Sequence, residues 1–253
     1  MPDPIYAVGD VHGHLEKLIA LHGWIARDAA RLGISDPCIV HVGDLVDRGP
    51  DSRGVIDYMI RGAQAHRPWI TLKGNHDRMF EWFLERPPRH DPHLLIGHHW
   101  LHERLGGMET LRSYGIGVPA QARLVHVAAE ARQKVPEAHR RYLQSLALWH
   151  VAGGVIFVHA GIRPGVPLGD QDEEDLLWIR DAFHADTRDH GMLVVHGHTP
   201  VPRITHYGNR INIDTGAAYG DALSAIVIDG DEILEIGEDG RREICRSGGG
   251  AVT

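Results

Sequence analysis

The sequence predicts an α/β fold built on a largely parallel sheet, and three observations predict it. Short apolar runs alternate with amphipathic helical stretches from Ile5 to Asp77, in the order β-α-β-α-β. Each apolar run breaks into a glycine-containing loop of charged or imidazole side chains, as open α/β sheets do at their carboxyl ends. The last third returns to strand-like runs, with Asp229-Gly230 as a hairpin signal.

Taken in order, Ile5 to Val8 reads as a strand and Gly9-Asp10-Val11-His12-Gly13-His14 as the loop after it. Leu15, Leu18, Ile19, Ile25, Ala29 and Leu32 recur at helical spacing, giving a helix that ends near Gly33; His14 starts it. Residues 38–42 form a buried strand that ends abruptly in Gly43-Asp44-Leu45-Val46-Asp47-Arg48-Gly49-Pro50. Val55, Ile56, Met59 and Ile60 mark a second helix. Residues 69–72 form a third strand, breaking into Lys73-Gly74-Asn75-His76-Asp77.

From about 79 to 147 strand-like runs vanish, and helical patterns break at Pro87-Pro88, Gly106-Gly107, Gly115 and Pro136. This stretch reads as a helical insertion or cap, its segments too short to enclose a core alone. Strands resume at 154–158, ending in His159-Ala160-Gly161. An acidic segment, 170–175, precedes Leu176-Leu177-Trp178-Ile179-Arg180. Residues 192–195 lead into His196-Gly197-His198-Thr199-Pro200. Runs at 210–213, 223–228 and 232–236 read as antiparallel strands, and 247–253 as a frayed tail. Nothing reads as a linker, so one domain over 1–253 is expected.

Hydrophobic residues make up 43% of the 253, enough for a sizeable core, and the formal net charge is −8. That balance argues against a nucleic-acid partner. An anionic substrate stays possible, because a metal or a few arginines reverse the sign locally. Cys38 and Cys245 lie too far apart in sequence for a zinc-thiolate motif or a disulfide framework to be read from them. No signal-peptide pattern or membrane-length apolar run is visible. The expectation is a cytoplasmic monomer or weak oligomer with no membrane partner. Among the 20 histidines, His66, His90, His93, His98, His99, His102, His126 and His139 are expected at the surface.

The strand ends carry ligand-type side chains: Asp10 and His12; Asp44, Asp47 and Arg48; Asn75, His76 and Asp77; His159; His196 and His198. One such loop is usually only a turn. Repeated on successive apolar strands, they converge, because parallel strands bring their carboxyl ends together. Carboxylates, imidazoles and an amide without thiolates suit manganese, iron or zinc. Two such ions about 3.5–4 Å apart can share a carboxylate and activate a water for in-line attack on phosphorus. Arg48 and Arg180 would give bidentate donors to phosphate; alternatively Arg180 pairs with Asp172 or Asp181.

Gly9-Asp10-Val11-His12-Gly13, Gly43-Asp44-Leu45-Val46-Asp47-Arg48-Gly49 and Gly74-Asn75-His76-Asp77 resemble the signature blocks of the phosphoprotein phosphatase branch of the calcineurin-like metallophosphoesterases. His159-Ala160-Gly161 and Gly197-His198-Thr199-Pro200 resemble its later histidine blocks, in the same order. The resemblance implies a four-layer α/β/β/α sandwich with a helical insertion, its second sheet drawn from the C-terminal third. It implies two divalent ions, manganese first and iron or zinc as alternatives. Asp10, His12 and Asp44 would hold one; Asp44, Asn75, His159 and His198 the other. His76 would be the general acid, oriented by Asp47, and Asp77 is counted with the catalytic residues. Arg48, Arg180, Asn75 and Tyr219 would bind the substrate phosphate, though Tyr219 could equally be an ordinary packed tyrosine. His198 is preferred over His196 as ligand.

The implied reaction is hydrolysis of a phosphoprotein or small phosphomonoester, with phosphoserine or phosphothreonine first, by a hydroxide bridging the two metals. Asp77 stands where eukaryotic members have Glu, and it occurs in related bacterial hydrolases that split diadenosine tetraphosphate symmetrically. That is the alternative. Val46-Asp47-Arg48-Gly49 is the protein-phosphatase form, since those hydrolases have a small residue at the position of Asp47. A non-catalytic scaffold is disfavoured because every expected ligand is present.

Overall fold

The computed structural model describes residues 3–247, so of the tail expected at 247–253 only Ser247 lies among the described residues. β1 (Ile5–Val8), α1 (Leu15–Arg31), β2 (Cys38–His41), α2 (Ser52–Gln64) and β3 (Trp69–Thr71) follow the predicted order. β1, β2 and β3 pair in parallel, with Ile5 opposite Cys38 and Ile39 opposite Trp69. Tyr6, Val8 and Ile39 point to the helices, while Ala7 and Val40 point to a second sheet. Apolar residues on both faces are what a sheet covered on both sides requires.

Between β3 and β4 (Trp149–Ala152) the chain runs through α3 (Asn75–Phe83), α4 (Gly107–Ser113), α5 (Leu124–Lys134) and α6 (Glu137–Gln144). Met79, Phe80, Leu111, Val127 and Leu143 join Leu18, Ile25, Val55 and Met59 in one hydrophobic cluster. The helical stretch therefore shares its core with α1, α2 and the first sheet. Trp100 stacks on Phe80, ring centroids 5.1 Å apart.

The rest comprises β5 (Val155–Val158), α7 (Glu173–Trp178), α8 (Asp181–His184), β6 (Leu193–His196), β7 (Thr205–His206), β8 (Arg210–Asn212), β9 (Ala225–Asp229), β10 (Glu232–Gly237), β11 (Gly240–Glu243) and β12 (Cys245–Arg246). The strands form two six-stranded sheets, ordered β11-β10-β9-β1-β2-β3 and β12-β7-β8-β6-β5-β4. Ala7, Val40, Phe157, Val195, Ile211 and Ile226 fill the space between them. Ile156, Val158, Leu176, Phe183 and Val194 fill the outer face of the second sheet. This is the four-layer arrangement, helices outside and two sheets within.

The second sheet follows the expectation in part: β6, β7, β8 and β12 lie in the C-terminal third, and β4 and β5 precede it. Most of it comes from 149–212, and the C-terminal strands β9 to β11 instead extend the first sheet antiparallel to β1. The reason lies in β9, whose first four residues, Ala225 to Ile228, are all buried; a strand apolar on both faces belongs inside a covered sheet, not on its outer layer. β8 likewise runs parallel to β6 and antiparallel only to β7. β4 is not legible as a strand, yet Gly153-Gly154 joins it to β5 with φ of 59° and 76°, the doubly positive geometry of a two-residue hairpin. In the β9–β10 hairpin Asp229 pairs with Glu232, so the turn residues are Gly230-Asp231, one position along.

His139, expected at the surface, is buried at 3% exposure between the Tyr114 hydroxyl (2.8 Å) and Asp57 (2.9 Å). His22 and His41 form a second buried pair, Nε2 to Nε2 at 2.9 Å. Burial lowers His22 to about 2, with His41 adding to the shift, and lowers His41 to about 4. In the unfolded chain both titrate near 6.5. Below that pH unfolding takes up protons, so stability falls as pH falls. At pH 5 each histidine should cost about 2 kcal/mol relative to neutral pH. Urea melts from pH 7 to 5 test this against a chain carrying both His22→Leu and His41→Leu, which should lose less stability; equal losses would contradict it.

Candidate metal centre

All the ligand-type loops lie at carboxyl ends: after β1 (Asp10, His12), β2 (Asp44, Asp47, Arg48), β5 (His159) and β6 (His198), and after β3 at the start of α3 (Asn75, His76). The backbone there is unusual. His12, Asp44, Asp47, Arg48 and His198 have φ between 44° and 72°, a left-handed region that costs a non-glycine residue roughly 1–2 kcal/mol. Crossed hydrogen bonds hold them so: Val11 and His12 amides donate to the Asp44 carbonyl, and the His198 amide to Asp10 Oδ2 at 3.0 Å. Close approach does the rest. A Cβ on Gly74 would sit 2.1 Å from Asp44 Oδ1, and one on Gly197 2.0 Å from Asp10 Oδ1.

Asp44 is the centre of the cluster. His12 Nε2 lies 3.4 Å from its Oδ2, His159 Nε2 3.5 Å from its Oδ1, and the His76 amide donates to Oδ1 at 2.9 Å. Asn75 Oδ1 lies 2.9 Å from both His159 Nε2 and His198 Nδ1. Ligand atoms within 4.8 Å of one another form two groups, His12-Asp44-His76 and Asp44-His159-His198, sharing Asp44. Asp10, expected in the first, stands outside that tight group, and His76, expected as the acid, lies within it.

The donor chemistry fits cations. His159 Nδ1 lies 2.9 Å from the Val42 carbonyl and His12 Nδ1 2.9 Å from that of Val46. A carbonyl only accepts, so Nδ1 carries the proton and Nε2 a lone pair. The His159 lone pair then faces the acceptor oxygens of Asp44 and Asn75, an arrangement repulsive until a positive ion lies between them, while the His12 lone pair accepts from Arg48 Nη1 at 3.1 Å. Burial pushes the His12, His159 and His198 imidazoles below their ordinary range, leaving neutral donors. Asp10 Oδ1 is buried without a hydrogen-bond partner. Burial, with Asp214 and Asp44 nearby, pushes the Asp10 carboxyl well up; burial raises Asp214 to about 6. Divalent ions among these carboxyls would reverse that penalty.

His76 Nδ1 donates to Asp47 Oδ2 at 2.7 Å, and the Asp47 side chain is fully enclosed. Asp77, expected among the catalytic residues, is engaged by backbone. Its two oxygens accept from the Leu45 amide and the Gly74 amide, each at 2.9 Å, clamping the Asp44 loop to the first turn of α3. With both oxygens engaged by backbone, it does not line the cleft.

The cleft above the cluster, about 210 Å³, is lined by Arg48, His76, Trp178, Arg180, His198 and Tyr219, among others. Arg180 makes neither alternative salt bridge; its Nε donates to His198 Nε2 at 3.1 Å. Tyr219 is 66% exposed, not packed, with the Arg48 guanidinium 5.1 Å from its ring centroid. His196 is buried away from the cleft against Phe183 and Arg210. Leu105, Thr199 and Pro200 also line it, and none was singled out from sequence. The Trp100 indole and the Thr110 hydroxyl both donate to Asp47. Only their place in the fold reveals this link to Asp47.

An arrangement of this kind places the protein among the metal-dependent phosphoesterases. More narrowly, the chain belongs to the calcineurin-like phosphoesterase family, whose model matches residues 3–227. It is 26% identical over 240 residues to an asymmetrical bis(5'-nucleosyl)-tetraphosphatase PrpE of Anoxybacillus flavithermus, covering 87% of this chain and 88% of that protein. The same-named protein of Bacillus velezensis is 27% identical over 241 residues, with 86% of each chain covered. A solved structure of a candidate diadenosine tetraphosphatase superposes with a TM-score of 0.61 over 96% of both chains, at 22% identity, a likeness of fold. Neither relative is described as a serine/threonine phosphatase, so the superfamily expected from sequence stands and the branch does not follow from these relatives.

Two outcomes check the site. Asp44→Asn should weaken both metal sites together, read as metal content after dialysis; retention of two tightly held ions would refute a shared ligand. Asp77→Ala leaves two buried amides unpaired and should cost about 2–4 kcal/mol of stability by denaturant melts. A stable variant that has lost only turnover would return Asp77 to the catalytic set.

Proposed function

We propose that this protein hydrolyses the phosphoanhydride bridge of dinucleoside tetraphosphates asymmetrically, releasing a nucleoside triphosphate and a nucleoside monophosphate. The observation that carries the reading is the match to tetraphosphatases over nearly nine-tenths of both chains. The cleft agrees with it, since exposed Tyr219 and half-buried Trp178 flank Arg48 and Arg180, offering ring faces beside phosphate donors.

Asp10, His12 and Asp44, with Asp44, Asn75, His159 and His198, would hold two divalent ions, and we take manganese as the working metal. Such ions supply Lewis acidity toward phosphoryl oxygens and lower the pKa of water. Arg48 and Arg180 orient the phosphate chain and offset its charge. His76, with Nδ1–H held by Asp47, presents Nε2 to the departing oxygen and donates its proton there.

Phosphoserine or phosphothreonine hydrolysis is the second reading, favoured by the buried Asp47–His76 pair. An alkoxide is a far poorer leaving group than a phosphate and needs that proton more. Manganese-loaded protein given diadenosine tetraphosphate should yield ATP and AMP. Two molecules of ADP would indicate the symmetrical cut, and faster turnover of a phosphoserine peptide the second reading. His76→Ala should keep its metal and lose about 10²–10⁴ in kcat, less with a good leaving group. Equal losses for good and poor leaving groups would remove His76 as the acid.

A further inference from the structure

We propose that Trp100 and Thr110, both from the helical stretch between β3 and β4, are positioning residues for His76, acting through Asp47. The Asp47 carboxylate is met on both oxygens. Oδ2 accepts from His76 Nδ1 at 2.7 Å and from the Trp100 indole Nε1 at 2.8 Å; Oδ1 accepts from the Thr110 hydroxyl at 2.7 Å. The Asp47 amide in turn donates to Thr110 Oγ1 at 2.8 Å and to Ser52 Oγ at 3.1 Å. Thr110 is fully buried and Trp100 nearly so.

A packing role alone does not account for this. Trp100 already has its ring face on Phe80 and Phe83, centroids 5.1 and 4.7 Å away. Its N–H could point anywhere a buried acceptor lies, and it points to the oxygen that also holds His76. Thr110 both donates to and accepts from Asp47, and its Oγ1 also meets Ser52 Oγ at 3.0 Å. Asp47 itself sits at φ 72°, a conformation it would not keep unaided. The adjoining Gly106 carbonyl accepts from the Arg48 amide at 3.2 Å, so the same stretch also fixes the neighbouring phosphate-side residue. With the indole N–H or the hydroxyl removed, the carboxylate can turn, and the imidazole loses the orientation that aims Nε2 into the cleft. The helical stretch therefore completes the acid as well as walling the cleft.

The inference rests on His76 being the acid, and the test separates the two. Trp100→Phe keeps the stacked ring and deletes the N–H; Thr110→Val deletes the hydroxyl and Thr110→Ser keeps it. Manganese-loaded variants are compared on p-nitrophenyl phosphate and phenyl phosphate, the latter with the poorer leaving group. Trp100→Phe and Thr110→Val should each lose kcat at least about 10-fold more on phenyl phosphate than on p-nitrophenyl phosphate. KM and metal content should stay within about twofold, and Thr110→Ser should recover most of the loss. Uniform loss across both substrates, or Thr110→Ser as poor as Thr110→Val, would reduce both residues to packing. His76→Ala on the same pair decides the premise. If its loss is uniform the acid reading fails; if it alone depends on the leaving group, only the positioning inference falls.

Discussion

One carboxylate sets the terms for the rest of the molecule. Asp44 is almost wholly buried, has an imidazole near each oxygen, and lies in left-handed backbone. A buried anion on such a backbone is unfavourable unless cations and crossed hydrogen bonds compensate it. The surroundings fit that need. β1 and β3 flank β2 and bring Asp10, His12 and Asn75 beside it, while the second sheet contributes His159 and His198 from across the interface. Neither sheet holds the full donor set alone, so packing of Ala7, Val40, Phe157 and Val195 between them is also what assembles the centre.

The fold keeps the costly geometry local. Strained residues sit in loops whose flanking strands are regular and buried, so the surplus energy of five left-handed residues rests on a rigid frame. Asp77 contributes to that frame by joining two loops through amides, and Gly74 and Gly197 contribute by leaving room. Several residues in the signature loops thus serve to hold others at the required distance.

How much of this was legible in the sequence depends on range. The strand-end loops were, because β-period runs and glycine-flanked ligands are local patterns, and every donor around Asp44 was named from them. Tyr219 and Arg180 were left open and the structure places both on the cleft. The clamp made by Asp77 was not legible, because its motif neighbours are Asn75 and His76 while its partners are the amides of Leu45 and Gly74, only one of which is a close neighbour in sequence. The destination of β9 was misread for a similar reason: an apolar run does not say which of two sheets will cover it. The link of Trp100 and Thr110 to Asp47 was invisible, since it spans 53 and 63 positions and depends on how the helical stretch folds back.

The central claim is that two cations share Asp44. Anomalous diffraction from crystals of the manganese-loaded protein tests it most directly. The account predicts two anomalous peaks about 3.5–4 Å apart, both touching the Asp44 carboxylate, one beside His12 and the other beside His159 and His198. A single peak, or a second ion out of reach of Asp44, would contradict it.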